Sequence, residues 1–236
     1  LHNTTRRQRQ MCIRDRIDPN ARVAVETMVK GTEGEAIIVL AGEVSLNGQP
    51  PNYEEIARLT ASSIGYTDSK IGMDASSKDS CHVHTHITTQ SQFISQGVDG
   101  DLETQGAGDQ GVMFGYACSE TEGTSELRGR FFPLSAALAQ RLTRRLEIVH
   151  DEGILPWVRP DGKSQVTVQL TDDKQSVSRV STIVIASQHS PKAGPNWPAE
   201  DDLSDDERCQ YIEQQIRKHV VEHAIPPSLL DNPEII

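Results

Sequence analysis

Hydrophobic periodicity predicts four elements in the first part of the chain. Apolar and polar positions alternate within 21–29 and predict a strand, and the apolar run 36–44 predicts a second, buried strand after a turn at 30–35. Residues 53–64 carry apolar side chains at helical spacing and predict a helix, and residues 81–89 predict a third strand. The apolar residues at helical spacing are Ile56, Leu59 and Ile64.

The second part of the chain opens with a polar stretch, 90–111, that has no hydrophobic period. Its length is typical of a binding loop, a lid or a linker. A helix is predicted over 133–150, then strands at 164–170 and 180–187, and a capping-box sequence at 204–207 begins a last helix. Leucines recur every four residues in the first of these helices, at Leu134, Leu138, Leu142 and Leu146.

Together these elements predict an α+β fold. The order is strand–strand–helix–strand, a long loop, then helix–strand–strand–helix. Helices in such an arrangement cover one face of mixed or antiparallel sheets.

Composition and charge narrow the function classes. The 236 residues are 36% hydrophobic and 24% charged, as in globular proteins, and no apolar run is long enough to cross a membrane. A net charge of −11 argues against a nucleic-acid partner, because phosphate contacts require clustered Lys and Arg. Four dispersed cysteines without a secretory signal predict reduced thiols in a cytoplasmic protein.

Residues 1–16 differ from the rest of the chain. They contain five arginines and one aspartate and have no hydrophobic period. The segment MCIRDR resembles translated sequencing-adapter sequence, so 1–16 is interpreted as a non-native leader. The alternatives are a mitochondrial transit peptide, for which an amphipathic stripe is lacking, and a nucleic-acid-binding arm.

A glycine-rich motif occupies 106–111 and has the literal pattern G-x-G-x-x-G. A dinucleotide site also needs a strand before the motif, a helix after it and an acidic residue about 20 positions on, and all three are lacking. The glycines still permit a close backbone approach to a ligand, with Asp109 as the carboxylate among them. Taken alone, the motif also fits a solvated turn.

Two other groups of polar residues are candidates for binding. Arg159, Asp161 and Lys163 cluster at a predicted Pro/Gly turn that leads into a strand, where two cations could hold polyphosphate. Glu26 and Glu43 lie on the apolar early strands, where a buried carboxylate needs a partner or a cation. The alternative for both groups is simple exposure to solvent.

Two long segments carry a resemblance to a known family. QGAGDQGVMFGYA, at 105–117, and LPWVRPDGKSQVTV, at 155–168, resemble S-adenosylmethionine synthetase (methionine adenosyltransferase). The resemblance implies three similar α+β domains in the complete enzyme, two of them present here, and assembly as a homodimer or homotetramer. The implied reaction joins ATP and L-methionine with Mg²⁺ and K⁺, releasing phosphate and diphosphate.

The resemblance also implies roles for particular residues. Asp161 and Lys163 would contact ATP, Glu43 and Gln90 would contact methionine, and Glu26 would be a potassium ligand. Asp109 would face the substrate pocket. The segment TTQSQFISQGVD departs from the family pattern Q-S-P-D-I, with Gln92-Phe93 in place of Pro-Asp.

The same resemblance predicts the domain organisation. Residues 17–92 would form the N-terminal domain, 93–111 the substrate-site loop and 112–236 the central domain. A G-H-P-D-K segment and a C-terminal domain are missing, so the chain is expected to be an inactive fragment. The alternative is a naturally short, non-catalytic nucleotide-binding or regulatory subunit.

The family resemblance does not account for three histidines at alternate positions. On a strand, His82, His84 and His86 would share one face, and three imidazoles can bind Zn²⁺. The alternative is a solvated row on an exposed strand.

Overall fold

The computed structural model describes residues 17–18, 21–32, 34–89, 112–173, 176–190, 204–230 and 233–235. The chain divides into two compact units, Leu1–Met113 and Phe114–Ile236. Each unit contains a three-stranded mixed sheet and helices, which confirms the predicted α+β class.

The first unit is built on a long hairpin followed by a helical crossover. Its elements are β1 (Arg22–Thr32), β2 (Glu35–Ser45), α1 (Tyr53–Ser63), β3 (Thr67–Asp68), a 3₁₀ turn (Ser69–Ile71), β4 (Met73–Asp74) and β5 (Cys81–Thr88). β2 pairs antiparallel with β1 and parallel with β5, and β3 pairs with β4 in a small separate hairpin. The three main strands and the helix were predicted. The turn between β1 and β2 is tighter than the predicted 30–35.

The core of the first unit is lined mainly by small side chains, and Leu59, one of the apolar residues at helical spacing in α1, lies outside it. The buried helix positions are Ala57 and Ala61, which pack with Ile38 and Leu40 of β2, whereas Leu59 is 63% exposed. Alanines let the helix approach the sheet closely, and a leucine row would not fit that spacing. The sequence pattern reflects only which positions are apolar, whereas burial in the fold also depends on the volume of each side chain.

Arg58 fixes α1 to the segment that enters β5. Its guanidinium donates hydrogen bonds to the carbonyl oxygens of Ala75, Ser77 and Cys81 at 2.9–3.2 Å and to the Glu54 carboxylate at 2.8 Å. The Arg58 hydrogen bond is the main cause that lowers the pKa of Glu54. One planar side chain thereby bridges three backbone carbonyls of the segment that enters β5.

The other side of this sheet is not covered by α1 and is called the open face. Strand register determines its members, because residues paired across strands point to the same side. They are Ala24, Glu26, Met28 and Lys30 on β1, Ile37, Val39, Ala41 and Glu43 on β2, and His82, His84, His86 and Thr88 on β5.

The second unit repeats this connectivity. Its elements are two 3₁₀ turns (Glu120–Gly123 and Ser125–Leu127), α2 (Leu134–Asp151), β6 (Val158–Leu170), β7 (Val177–His189), α3 (Asp205–Ile216), a π-helical turn (Arg217–Val221), α4 (Glu222–Ala224), a 3₁₀ turn (Pro227–Leu229) and β8 (Glu234–Ile235). β7 pairs antiparallel with β6 and parallel with β8. A hairpin, a helical crossover and a parallel third strand therefore form both sheets.

The leucine row of α2 forms the centre of the second core, as predicted. Leu134, Leu138, Leu142 and Leu146 are each at most 4% exposed and pack with Val166 of β6. The Ser164 hydroxyl donates to the carbonyl oxygen of Ala139 at 2.7 Å and ties β6 to the helix.

The last helix begins as predicted but does not continue regularly. Ser204 and Glu207 form a complete capping box. After Ile216 the backbone widens into the π turn, and the Arg145 guanidinium donates to the carbonyl oxygen of His219 there at 2.9 Å. Val220 and Val221, both within this turn, are buried.

Acidic side chains position the chain ahead of α2. The Glu122 carboxylate accepts hydrogen bonds from the backbone N–H of Gly129 at 2.9 and 3.0 Å and of Phe131 at 3.2 Å. These bonds hold Phe131 at φ 49°, a conformation that non-glycine residues rarely adopt. The Glu120 carboxylate accepts from the Leu134 N–H at 2.9 Å and so caps α2.

Among the described residues, no helix combines the length and apolar character needed to span a membrane.

Candidate functional site

In the first unit, both candidate glutamates lie on the open face. Glu26 pairs with Ala41, and Glu43 pairs with Ala24 on one side and Thr88 on the other. Their carboxylates therefore project to the side of the sheet opposite α1. Glu26 is exposed and Glu43 is half-buried, so neither is the fully buried carboxylate that the apolar strand pattern allowed.

Gly42 makes the close strand pairing beside Glu43 possible. Its φ is +151°, and a Cβ placed on it would lie 2.0 Å from the carbonyl oxygen of Ala24 and 2.9 Å from the Cα of Val25. Both contacts are to backbone that cannot turn away. A side chain at 42 would therefore push β1 from β2 and displace Glu43.

In the second unit, Asp161 and Lys163 lie within β6, so the predicted Pro/Gly turn was wrong. The strand starts at Val158, which pairs with His189, and pairing resumes at Gly162 opposite Ser187. Between these two pairs β6 advances by four residues, whereas β7 advances by only two. The extra residues of β6 form an irregular bulge around Pro160. Proline lacks the N–H of a regular ladder, and a bulge accommodates it at a strand end. Asp161 and Lys163 are both exposed there.

Arg159 is held in a different environment from Lys163. Its Nη2 donates a hydrogen bond to the Ser190 hydroxyl at 2.9 Å, and its Nε is buried without a hydrogen-bond partner among the described residues. Ser190 is only 5% exposed, and its N–H donates to the Trp157 carbonyl. No sequence signal pointed to Ser190, because a single serine 31 positions from Arg159 has no recognisable spacing.

Two candidates, Gln90 and Asp109, lie outside the described residues. Their assignments remain predictions from the resemblance.

The three histidines share the open face, as the strand pattern predicted. His82, His84 and His86 are exposed and lie beside Ile37, Val39 and Ala41 of β2. No group of three or more His, Cys, Asp or Glu side chains within the described residues could hold a metal ion. The row is too extended to surround one Zn²⁺, and a three-imidazole zinc site is not formed.

Cysteine chemistry is not supported at the buried thiol of the first core. Cys81 is fully buried, and burial raises the pKa of its thiol. A thiol of raised pKa is a poor nucleophile, so Cys81 is a core residue. Cys118 and Cys209 are also free thiols.

The family resemblance implies Mg²⁺ and K⁺, and each cation has one candidate carboxylate among the described residues. Protein Mg²⁺ sites commonly combine substrate phosphates with one or two carboxylates, and the exposed Asp161 near Lys163 offers one such carboxylate. For K⁺, Glu26 offers a single carboxylate, and the described part of the chain contains no acidic cluster around it. The described residues do not complete a K⁺ site by themselves.

Comparison with known families defines the class of the protein. The model of the S-adenosylmethionine synthetase N-terminal domain matches residues 11–92, and that of the central domain matches residues 104–236. These matches cover most of the chain and include all the candidate residues. The chain belongs to the S-adenosylmethionine synthetase family of enzymes.

Individual relatives agree with the family match. The S-adenosylmethionine synthase of Clostridium acetobutylicum is 42% identical over 224 residues, and that of Clostridium tetani is 38% identical over 224 residues. Each match covers 91% of this chain and 49% of the relative. The chain thus spans about half the length of the curated relatives it matches.

Proposed function

We propose that this sequence supplies the N-terminal and central parts of an enzyme that forms S-adenosylmethionine from ATP and L-methionine, releasing phosphate and diphosphate. The observation that carries the proposal is the 42% identity to a synthase over 91% of the chain. The alternative of a short regulatory subunit has no comparable support, because both relatives are named as synthases.

The proposed chemistry needs positioning and charge stabilisation. The methionine sulfur attacks C5′ of the ribose, the C5′–O bond breaks, and the triphosphate leaves with that electron pair. No covalent bond to the protein forms, so the enzyme acts by aligning the two substrates and stabilising the leaving group. Mg²⁺, when bound, neutralises part of the charge on the phosphates.

The described residues divide these tasks between the two units. In the first, Glu43 binds the ammonium group of methionine through its half-buried carboxylate. In the second, the exposed Lys163 ammonium attracts the triphosphate, and Asp161 beside it orients ATP and its Mg²⁺. Glu26 contributes a carboxylate for K⁺, with further ligands from other residues.

Assembly into a dimer or tetramer is also proposed. Supporting it, four apolar side chains of one short segment are exposed, Val112 at 79%, Met113 at 98%, Phe114 at 93% and Tyr116 at 75%. An apolar stretch of this kind is typical of a contact surface. Sedimentation velocity measures the assembly state directly. A monomer, in which this segment stays open to solvent, would contradict the proposed assembly.

The roles of Glu43 and Lys163 are testable in an exchange enzyme, defined as the C. acetobutylicum synthase whose 224 aligned residues are replaced by those of this chain. Glu43→Gln should raise KM for methionine with less effect on KM for ATP. Lys163→Ala should lower kcat/KM for ATP roughly 100-fold, as expected for loss of a charge on the leaving group.

The matched control is Lys78→Ala, because Lys78 is a surface lysine with a 79% exposed side chain outside the proposed site. It should leave both KM values unchanged. If Lys163→Ala behaved like Lys78→Ala, the assigned role of Lys163 would be wrong.

The isolated 236-residue chain is proposed to be inactive. A discontinuous assay with ATP, methionine, Mg²⁺ and K⁺ should detect no S-adenosylmethionine, and product formation would refute this part of the proposal.

A further inference from the structure

The histidine row on the open face has no role in the proposed reaction. His82, His84 and His86 occupy alternate positions of β5 and all three are exposed. Their cross-strand neighbours on β2 are Ile37, Val39 and Ala41, which offer no charge to pair with an imidazole. Within the described sheet, β5 is an outer strand, so the row is approachable from its side.

Strand geometry divides the row into two overlapping pairs. Residues two apart on a strand are separated by about 6.6 Å at Cα, and two imidazoles at that separation can turn toward one ion. His82 and His86 are about 13 Å apart by the same measure and cannot share an ion directly. His84 is therefore the member common to both possible pairs.

We propose that adjacent histidines of this row, His82 with His84 or His84 with His86, chelate one divalent transition-metal ion. Two imidazole nitrogens occupy two coordination positions and water occupies the rest. Neutral imidazole favours Cu²⁺ and Ni²⁺ over Mg²⁺ or K⁺, and the Irving–Williams order places Cu²⁺ first. This two-ligand site differs from a closed three-imidazole zinc site, which the described residues do not form.

A second histidine pair in the chain is a weaker place for a cation. His219 and His223 lie four positions apart across the π turn. Burial is the main cause that lowers the pKa of His219, and the positive charges of Lys218 and Arg145 lower it further. Those cations repel a metal ion, whereas the neighbours of the row on β2 are uncharged.

Histidine spacing provides a matched test on the untagged 236-residue protein. Ni²⁺ binding is measured by isothermal titration calorimetry at pH 7.5 for His82→Ala, His84→Ala and His86→Ala. Each variant keeps two imidazoles in the row. Only in His84→Ala are the two remaining histidines four positions apart, too far to share an ion. His82→Ala and His86→Ala should lose about two-fold in affinity, because one of two pairs remains, and His84→Ala on the order of 100-fold, because chelation is lost.

Since the three side chains are exposed, the variants are expected to fold, and thermal melting checks this for each one. Equal affinity of His84→Ala and His82→Ala would overturn the proposal, because spacing would then be irrelevant. Loss of Ni²⁺ binding in His223→Ala would assign the ion to the helical pair and also overturn it. Failure of the unchanged chain to bind Ni²⁺ would do the same.

Discussion

Gly42 of β2 allows the close pairing of β1 with β2, the two strands that carry the candidate glutamates. Gly42→Ala would place a methyl group 2.0 Å from the Ala24 carbonyl oxygen, and we expect a loss of about 1–3 kcal/mol in the free energy of unfolding. Chemical denaturation measures this loss. Gly34→Ala is the control, because Gly34 also has positive φ, at +84°, but has open space around it. Equal losses in the two variants would show that strain, and not the clash, dominates.

Glu122 makes local stability depend on pH. Hydrogen bonds from the backbone N–H groups of Gly129 and then Phe131 lower the pKa of its carboxyl below the ordinary 4.5. A lowered folded-state pKa adds stability above the unfolded-state value, and that stability is lost as pH falls through the folded value. Glu122→Gln should therefore melt below the parent protein at pH 7, and the difference should shrink as the pH falls below 4.5 and through the lowered folded-state pKa.

The control for this comparison is Glu147→Gln, at an exposed position on α2. It should change the melting temperature little over the same pH range. A Glu122→Gln deficit that stays constant across the whole acid titration would contradict the proposed hydrogen-bond origin.

At the level of site residues, strand alternation predicted the shared face of the three histidines, whereas the roles that the family motifs imply for Glu43 and Lys163 stay predictions. Alternation and pairing together placed Glu26, Glu43 and the three histidines on one face. The environment of Arg159 was not predictable, because it depends on a hydrogen bond to Ser190 across the end of β7. Long-range contacts of this kind leave no local pattern in a sequence.

At the level of elements, the burial of a leucine determines how much its replacement by alanine destabilises the first unit. Leu40→Ala in β2 should cost about 2–5 kcal/mol of unfolding free energy, because Leu40 is only 2% exposed. Leu59→Ala in α1 should change it by less than about 0.5 kcal/mol, because Leu59 is 63% exposed. Both positions lie in the first unit, so urea denaturation compares them directly. A large loss of unfolding free energy for Leu59→Ala would contradict the exposed position of this side chain.

Element type was more predictable than element detail. The four-residue leucine period of α2 and the capping box of α3 are strong local signals, and both are confirmed. The alanine face of α1 and the π turn after Ile216 were missed. Both depend on how closely a helix approaches its sheet, which is a property of packing and not of periodicity.

At the level of the molecule, two units with one connectivity carry the candidate residues proposed for two different substrates. The candidate methionine contact Glu43 lies in the first unit, and the candidate ATP contacts Asp161 and Lys163 lie in the second. The repeat was not visible as sequence similarity, because a hairpin, a crossover helix and a third strand can be built from unrelated apolar residues.

Formation of S-adenosylmethionine by the exchange enzyme tests whether this sequence can serve as the N-terminal and central parts of a working synthase. We expect the exchange enzyme to form product from ATP and methionine, and Lys163→Ala to lower kcat/KM roughly 100-fold. An exchange enzyme that unfolds cooperatively, and is therefore folded, yet forms no product would contradict the proposed function.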